Sequence, residues 1–117
     1  MTEEIKNEMI EAGFDVEDAL KRLLNNESLY EKFLKRFPDD PNFSALQDAV
    51  SNCEKEKAFD AAHTLKGLCG NLSINNILNL VSKQVEYFRA DQWDEGVAMM
   101  DDITREYNRT VEILNKL

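Results

Sequence analysis

The stretch Ala58-Phe59-Asp60-Ala61-Ala62-His63-Thr64-Leu65-Lys66-Gly67-Leu68-Cys69-Gly70-Asn71-Leu72 carries its apolar residues at helical spacing. Ala58, Ala62, Leu65, Cys69 and Leu72 step by four and three residues and so share one face of a helix. The same step continues downstream in Ile74, Leu78, Val81, Val85 and Phe88, with Ser73 placed as an N-cap and Ala90-Asp91-Gln92 as the close. A last long stripe runs through Trp93, Val97, Met100, Ile103, Tyr107, Val111 and Leu114.

Upstream, Phe43, Leu46, Ala49 and Val50 form a further apolar stripe. Pro38-Asp39-Asp40-Pro41 is the clearest break in the chain and either separates two helices or kinks one. Before it, Ser28 is placed to cap a helix bearing Leu29, Phe33, Leu34 and Phe37. Asp15 is placed to cap another with Val16, Ala19, Leu20, Leu23 and Leu24, which Asn25-Asn26 interrupts. Thr2 to about Ala12 reads as a short acidic helix with Ile5 and Met9 on one side and Gly13 as its stop.

Short links between long amphipathic helices favour antiparallel neighbours. The pattern predicts an all-α protein, an up-down antiparallel four-helix bundle with one or two short N-terminal helices. A single domain over residues 1–117 is expected, with the bundle core at about residues 28–117. Only 4 glycines and 2 prolines interrupt the chain, which agrees with few long connections.

The formal charge is −9, from 14 basic and 23 acidic residues, and phosphate backbones repel such a chain, so nucleic acid is not an expected partner. No apolar run reaches the roughly 20 residues that cross a bilayer, so no membrane association is expected. The opening Met1-Thr2-Glu3-Glu4 lacks the basic and apolar regions of a signal peptide, and a cytoplasmic location is expected. Cys53 and Cys69 form no CxxC pair and read as free thiols in a reducing compartment. With one histidine and no close cysteine cluster, no metal site and no cofactor are expected. A monomer is the expected state.

The one histidine is His63. At about 100° per residue, the core stripe centres roughly 220° from it, so His63 faces away from the core. Lys66, Gly67, Gly70 and Phe59 all fall within about 60° of His63 on that wheel. Imidazole changes charge near neutral pH, and its neutral form is a nucleophile able to take a phosphoryl group. Lys66, one turn on, is placed to neutralise phosphoryl oxygens. A mid-helix glycine costs about 1 kcal/mol against alanine, so Gly67 and Gly70 imply that bulk is unwelcome, as where a second protein carrying the phosphoryl donor docks. Phe59 fits the apolar rim of such an interface.

An antiparallel partner helix reversing near Leu72-Ser73 lies level with His63 at about Lys83-Gln84. Gln84 is then placed to bond a phosphoryl oxygen or the imidazole, and Lys83 to add charge. Lys55, Lys57, Lys66, Lys83 and Arg89 make a local positive patch in an acidic chain. Singly, each residue has an ordinary explanation; together, on one outward face, they point to phosphoryl chemistry.

The run Ala62-His63-Thr64-Leu65-Lys66-Gly67, with the following Gly70-Asn71-Leu72, resembles the signature of histidine-containing phosphotransfer (HPt) domains of multistep phosphorelays. Asp18-Ala19-Leu20-Lys21-Arg22 and Leu29-Tyr30-Glu31-Lys32-Phe33-Leu34 are loosely similar to the helices preceding the bundle in that family. The chain departs from the pattern at Ser73-Ile74, where many members have a small residue and then glycine. The resemblance implies that His63 is the phosphoacceptor, that Lys66 orients and neutralises the phosphate, that Gly67 leaves room for the partner, and that Gln84 assists from the next helix. It implies response-regulator receiver domains as partners, with a hybrid histidine kinase as a further one.

The expected function is a phosphorelay intermediate that accepts a phosphoryl group on His63 from one receiver's aspartyl phosphate and passes it to another. The chain has neither a Walker-type loop nor a glycine-rich nucleotide lid, so no autonomous kinase activity is expected. The alternative is a helical adaptor that binds a kinase or receiver without being phosphorylated. A ligand-binding bundle needs converging inward polar groups, which the core stripes lack.

Overall fold

Helix α5 (Lys55–Leu72, 18 residues) is the centre around which the chain is arranged. Its inward residues are small or short: Ala58, Ala61, Ala62, Leu65, Cys69 and Leu72 are all buried. Three alanines let α4 (Asn42–Ser51) pack on one flank and α6 (Asn75–Arg89) on the other. After α6 come α7 (Trp93–Ala98) and α8 (Met100–Leu114), both against α6. Phe43 of α4 stacks on Tyr107 of α8, with centroids 3.8 Å apart. The computed structural model describes residues 1–117; it is all-helical apart from one isolated bridge between Phe14 and Ile74, and measures 41 × 24 × 21 Å.

The N-terminal helices are α1 (Glu3–Ala12), α2 (Val16–Arg22) and α3 (Glu27–Arg36), the last followed by a 3₁₀ turn at Phe37–Asp39. Asp15 caps α2 as read, and Thr2, read as the first residue of α1, is its N-cap. Thr2 Oγ1 accepts from the Ile5 N–H at 3.2 Å, and Asp15 Oδ1 from the Asp18 N–H at 3.1 Å. Gly13 ends α1 at φ 116°, in the left-handed region that glycine tolerates. The Pro38–Pro41 stretch separates α3 from α4, and Asp40 Oδ1 accepts from the Asn42 N–H at 2.9 Å.

Three expectations change. Asn26, not Ser28, caps α3, taking the Leu29 N–H at 3.0 Å. Leu24 leaves the apolar stripe: with Asn25 it adopts positive φ, and it is 90% exposed. The last stripe is divided between α7 and α8 at Met99. There the Gly96 carbonyl accepts the buried Gln84 amide at 3.0 Å, which competes with the helical ladder. A Cβ at Gly96 would run into the Phe88 ring, so glycine is what lets α7 approach α6.

Ser73 is a fourth revision. It is not the N-cap of α6 but the left-handed residue that ends α5, at φ 54°. The carbonyls around this turn are all taken. Arg22 Nη2 donates to Gly70 O at 2.8 Å, to Asn71 O at 3.1 Å and to Ser73 Oγ. Tyr30 Oη donates to Leu72 O at 2.8 Å, and the Asp15 N–H to Ser73 O at 3.0 Å. The Ile74 N–H reaches back to Cys69 O at 2.9 Å. Ser73 Oγ donates to Asp18 Oδ2 at 2.9 Å, and Arg22 Nη1 donates to the same oxygen at 2.7 Å.

Burial pushes the Tyr30 hydroxyl up, so it remains a donor. Tyr30→Phe leaves the Leu72 carbonyl without that donor and is expected to cost about 1–2 kcal/mol, read as a lower thermal midpoint. The Ser73 hydroxyl, and then Arg22, hold the Asp18 carboxyl below its ordinary value. Its contribution is therefore present above about pH 4 and lost as pH falls through the folded value. Acid titration of Asp18→Asn should show a shallower loss of stability than the parent.

Candidate functional site

The two flanks of α5 that meet α4 and α6 leave its third face to solvent, and His63 lies there, exposed. Phe59, one turn earlier and half-buried, stacks on the imidazole with ring centroids 5.8 Å apart and planes 23° apart. Lys66, one turn later, is half-buried and forms no ion pair. Gly67 is exposed, and a Cβ there would meet nothing within 4 Å. A Cβ at Gly70 would meet only Leu78 Cδ1, at an ordinary 3.9 Å. Neither glycine is needed for helix packing, yet each costs about 1 kcal/mol of helix propensity.

The neighbouring helix is less helpful to the expected site. Phe59 lies by Arg89 and Gly70 by Leu78, and this register puts Val85 level with His63. The α6 stripe turned towards that side is Leu78, Ser82, Val85 and Arg89. Gln84 and Lys83 each lie about 130° from it, in opposite senses. Gln84 is fully buried, donating to Gly96 O at 3.0 Å and Met100 Sδ at 3.1 Å, and is withdrawn as a phosphate ligand. Lys83 is exposed on the outer side of α6 beside Glu86 and Tyr87, away from His63. The level was legible; the rotation, at about 100° per residue, was not.

The positive patch is also revised. Lys55 pairs with Asp91 at 3.6 Å, Lys57 with Glu54 at 2.9 Å, and Arg89 with Glu86. Lys66 is the unpaired cation next to His63 on α5. Sequence reasoning counted Arg89 only as charge. Its guanidinium carbon sits 5.5 Å from the Phe59 ring centroid, so it belongs to the same cluster as the imidazole. Only the antiparallel register of α5 and α6 could have signalled this.

None of the surface grooves includes His63. The imidazole therefore stands on an open part of the α5 surface rather than in a cleft. No group of three or more His, Cys, Asp or Glu side chains converges to hold a metal ion. Cys69 is buried, which pushes its thiol up and removes it from chemistry at neutral pH.

No family model matches the chain, and no curated protein or solved structure is similar to it at a significant level. No helix is long and apolar enough to cross a membrane. The functional reading therefore rests on the face itself.

If Gly67 serves something other than the fold, removing it must help the fold. Gly67→Ala is expected to raise stability by about 1 kcal/mol, because the added methyl meets no obstacle. Thermal unfolding followed by circular dichroism checks this; a lower midpoint would show an intramolecular role.

Proposed function

We propose that this protein is a phosphorelay intermediate of the HPt type, with His63 as its phosphoacceptor. The observation that carries the reading is a solvent-facing imidazole on a convex helix face, followed by glycines the fold does not need. A surface of that kind suits a nucleophile served by another protein. In this reading α4, α5, α6 and α7–α8 make the antiparallel four-helix bundle of such domains, with α1–α3 packed on one end.

The reaction is transfer from the aspartyl phosphate of a receiver domain. The lone pair of the outward ring nitrogen, Nε2, attacks phosphorus in line. A P–N bond forms as the bond from phosphorus to the carboxylate oxygen breaks, and the carboxylate leaves with that electron pair. The ring then holds the phosphoryl group as phosphohistidine, and attack by a second receiver's aspartate reverses the steps. Lys66 supplies positive charge to the phosphoryl oxygens during both transfers. Gly67 and Gly70 let the receiver approach the helix backbone, and Phe59 adds apolar area at the rim. The partners are response-regulator receiver domains, including that of a hybrid histidine kinase, and the setting is the cytoplasm.

Two variants divide the relay reading from the adaptor reading. Incubated with a phosphorylated receiver, the parent protein is expected to gain phosphate that is acid-labile and base-stable. His63→Gln should gain none while still binding the receiver. Gly67→Leu should fold normally yet transfer at least tenfold more slowly, because the side chain occupies the docking face. Receiver binding with no phosphate uptake by the parent would favour the adaptor.

A further inference from the structure

The order of groups beside the nucleophile is His63, Phe59, Arg89. The imidazole stacks on Phe59, and Phe59 in turn has the Arg89 guanidinium 5.5 Å from its centroid. Phe59 and His63 are one turn apart on α5, whereas Arg89 is the last residue of α6. Arg89 has partners of its own on α6. It pairs with Glu86 one turn earlier, and it sits at a helix C-terminus, where the backbone carbonyls favour a cation. The far helix thus holds a ring that holds the imidazole.

We propose that Arg89 is a positioning residue for His63, acting through Phe59. The geometry suits a nucleophile. The lone pair of an imidazole nitrogen lies in the ring plane, so a partner stacked on the ring face leaves that lone pair uncovered. A partner on the ring edge would cover it. The 23° angle between the rings is a face contact of this kind. Phe59 is half-buried, with part of its ring packed against the core, so Arg89 restrains the outward part, and without it the plate against which the imidazole is oriented loosens. Orientation of the attacking atom is what in-line transfer needs. Arg89 carries this role while leaving the space over His63 to the incoming phosphoryl group and Lys66. The functional half of this inference rests on His63 being the phosphoacceptor; the structural half does not.

His63 is the only histidine, so its two carbon-bound ring protons are the only imidazole signals in a proton NMR spectrum of the protein. Stacked on Phe59, they carry its ring-current shift. Phe59→Leu is expected to move both signals towards their values in an unstructured peptide. Arg89→Ala should move them in the same direction although residue 89 does not touch the imidazole, and Arg89→Lys should restore most of the shift. Labelling of the full protein by phosphoramidate, a small donor that needs no docking, should slow about two- to fivefold in Arg89→Ala and recover in Arg89→Lys. Unchanged imidazole signals in Arg89→Ala, with the amide spectrum otherwise intact, would overturn the proposal. Shifted signals with unchanged labelling would overturn its functional half. A parent protein that phosphoramidate does not label at all would remove the phosphoacceptor reading, and the imidazole signals would still decide whether Arg89 positions the ring.

Discussion

The turn at the C-terminus of α5 is the constraint on which the rest depends. A helix of 18 residues ends there with carbonyls that have no partner within the helix. They are satisfied from the opposite end of the sequence: Arg22 takes Gly70 and Asn71, and Tyr30 takes Leu72. The backbone of Asp15 takes Ser73. Arg22 also places a positive charge where the α5 dipole is negative. Helices α2 and α3 are therefore part of the α5–α6 hairpin. They fix where α6 starts, and so which of its residues lie level with each residue of α5.

Register, in turn, makes the site. His63 lies seven residues from Gly70, about 10 Å along the axis. With the turn fixed, Arg89 arrives beside Phe59 and Leu78 beside Gly70. The alanines of α5 draw both flanking helices close, so one face is left to solvent, and that face carries the imidazole, the unpaired Lys66 and two glycines. Stability is surrendered at the glycines on a surface with no intramolecular use for them. The docking surface proposed for phosphoryl transfer would account for that cost in helix propensity.

Much of this was readable from the chain because the signals were local. The stripe from Ala58 to Leu72 is buried as its spacing required, and Asp15 caps the helix it precedes, since a cap acts over three residues. The direction of His63 followed from the same wheel. Errors came where a distant residue decides. Serine is a good N-cap, but Ser73 is bonded to Arg22, 51 residues away, and takes a left-handed conformation instead. Gln84 was placed at about the right level with the wrong rotation, because one residue of helix turns about 100°. The pairing of Lys55 with Asp91 joins the start of α5 to the turn after α6, which only the fold brings together. The Arg89–Phe59 contact needs the interhelical register, which no single helix contains.

In the proposed relay, the outward imidazole of α5 carries a phosphoryl group between proteins. Phosphorus NMR of the intact protein, recorded after incubation with a phosphorylated receiver domain and removal of that receiver, tests this most directly. With a single histidine in the chain, the account predicts one phosphorus–nitrogen resonance that integrates to one phosphate per protein and is absent in His63→Gln. Phosphorus on a carboxylate or hydroxyl oxygen, or no protein-bound phosphorus with any receiver of the host, would contradict it.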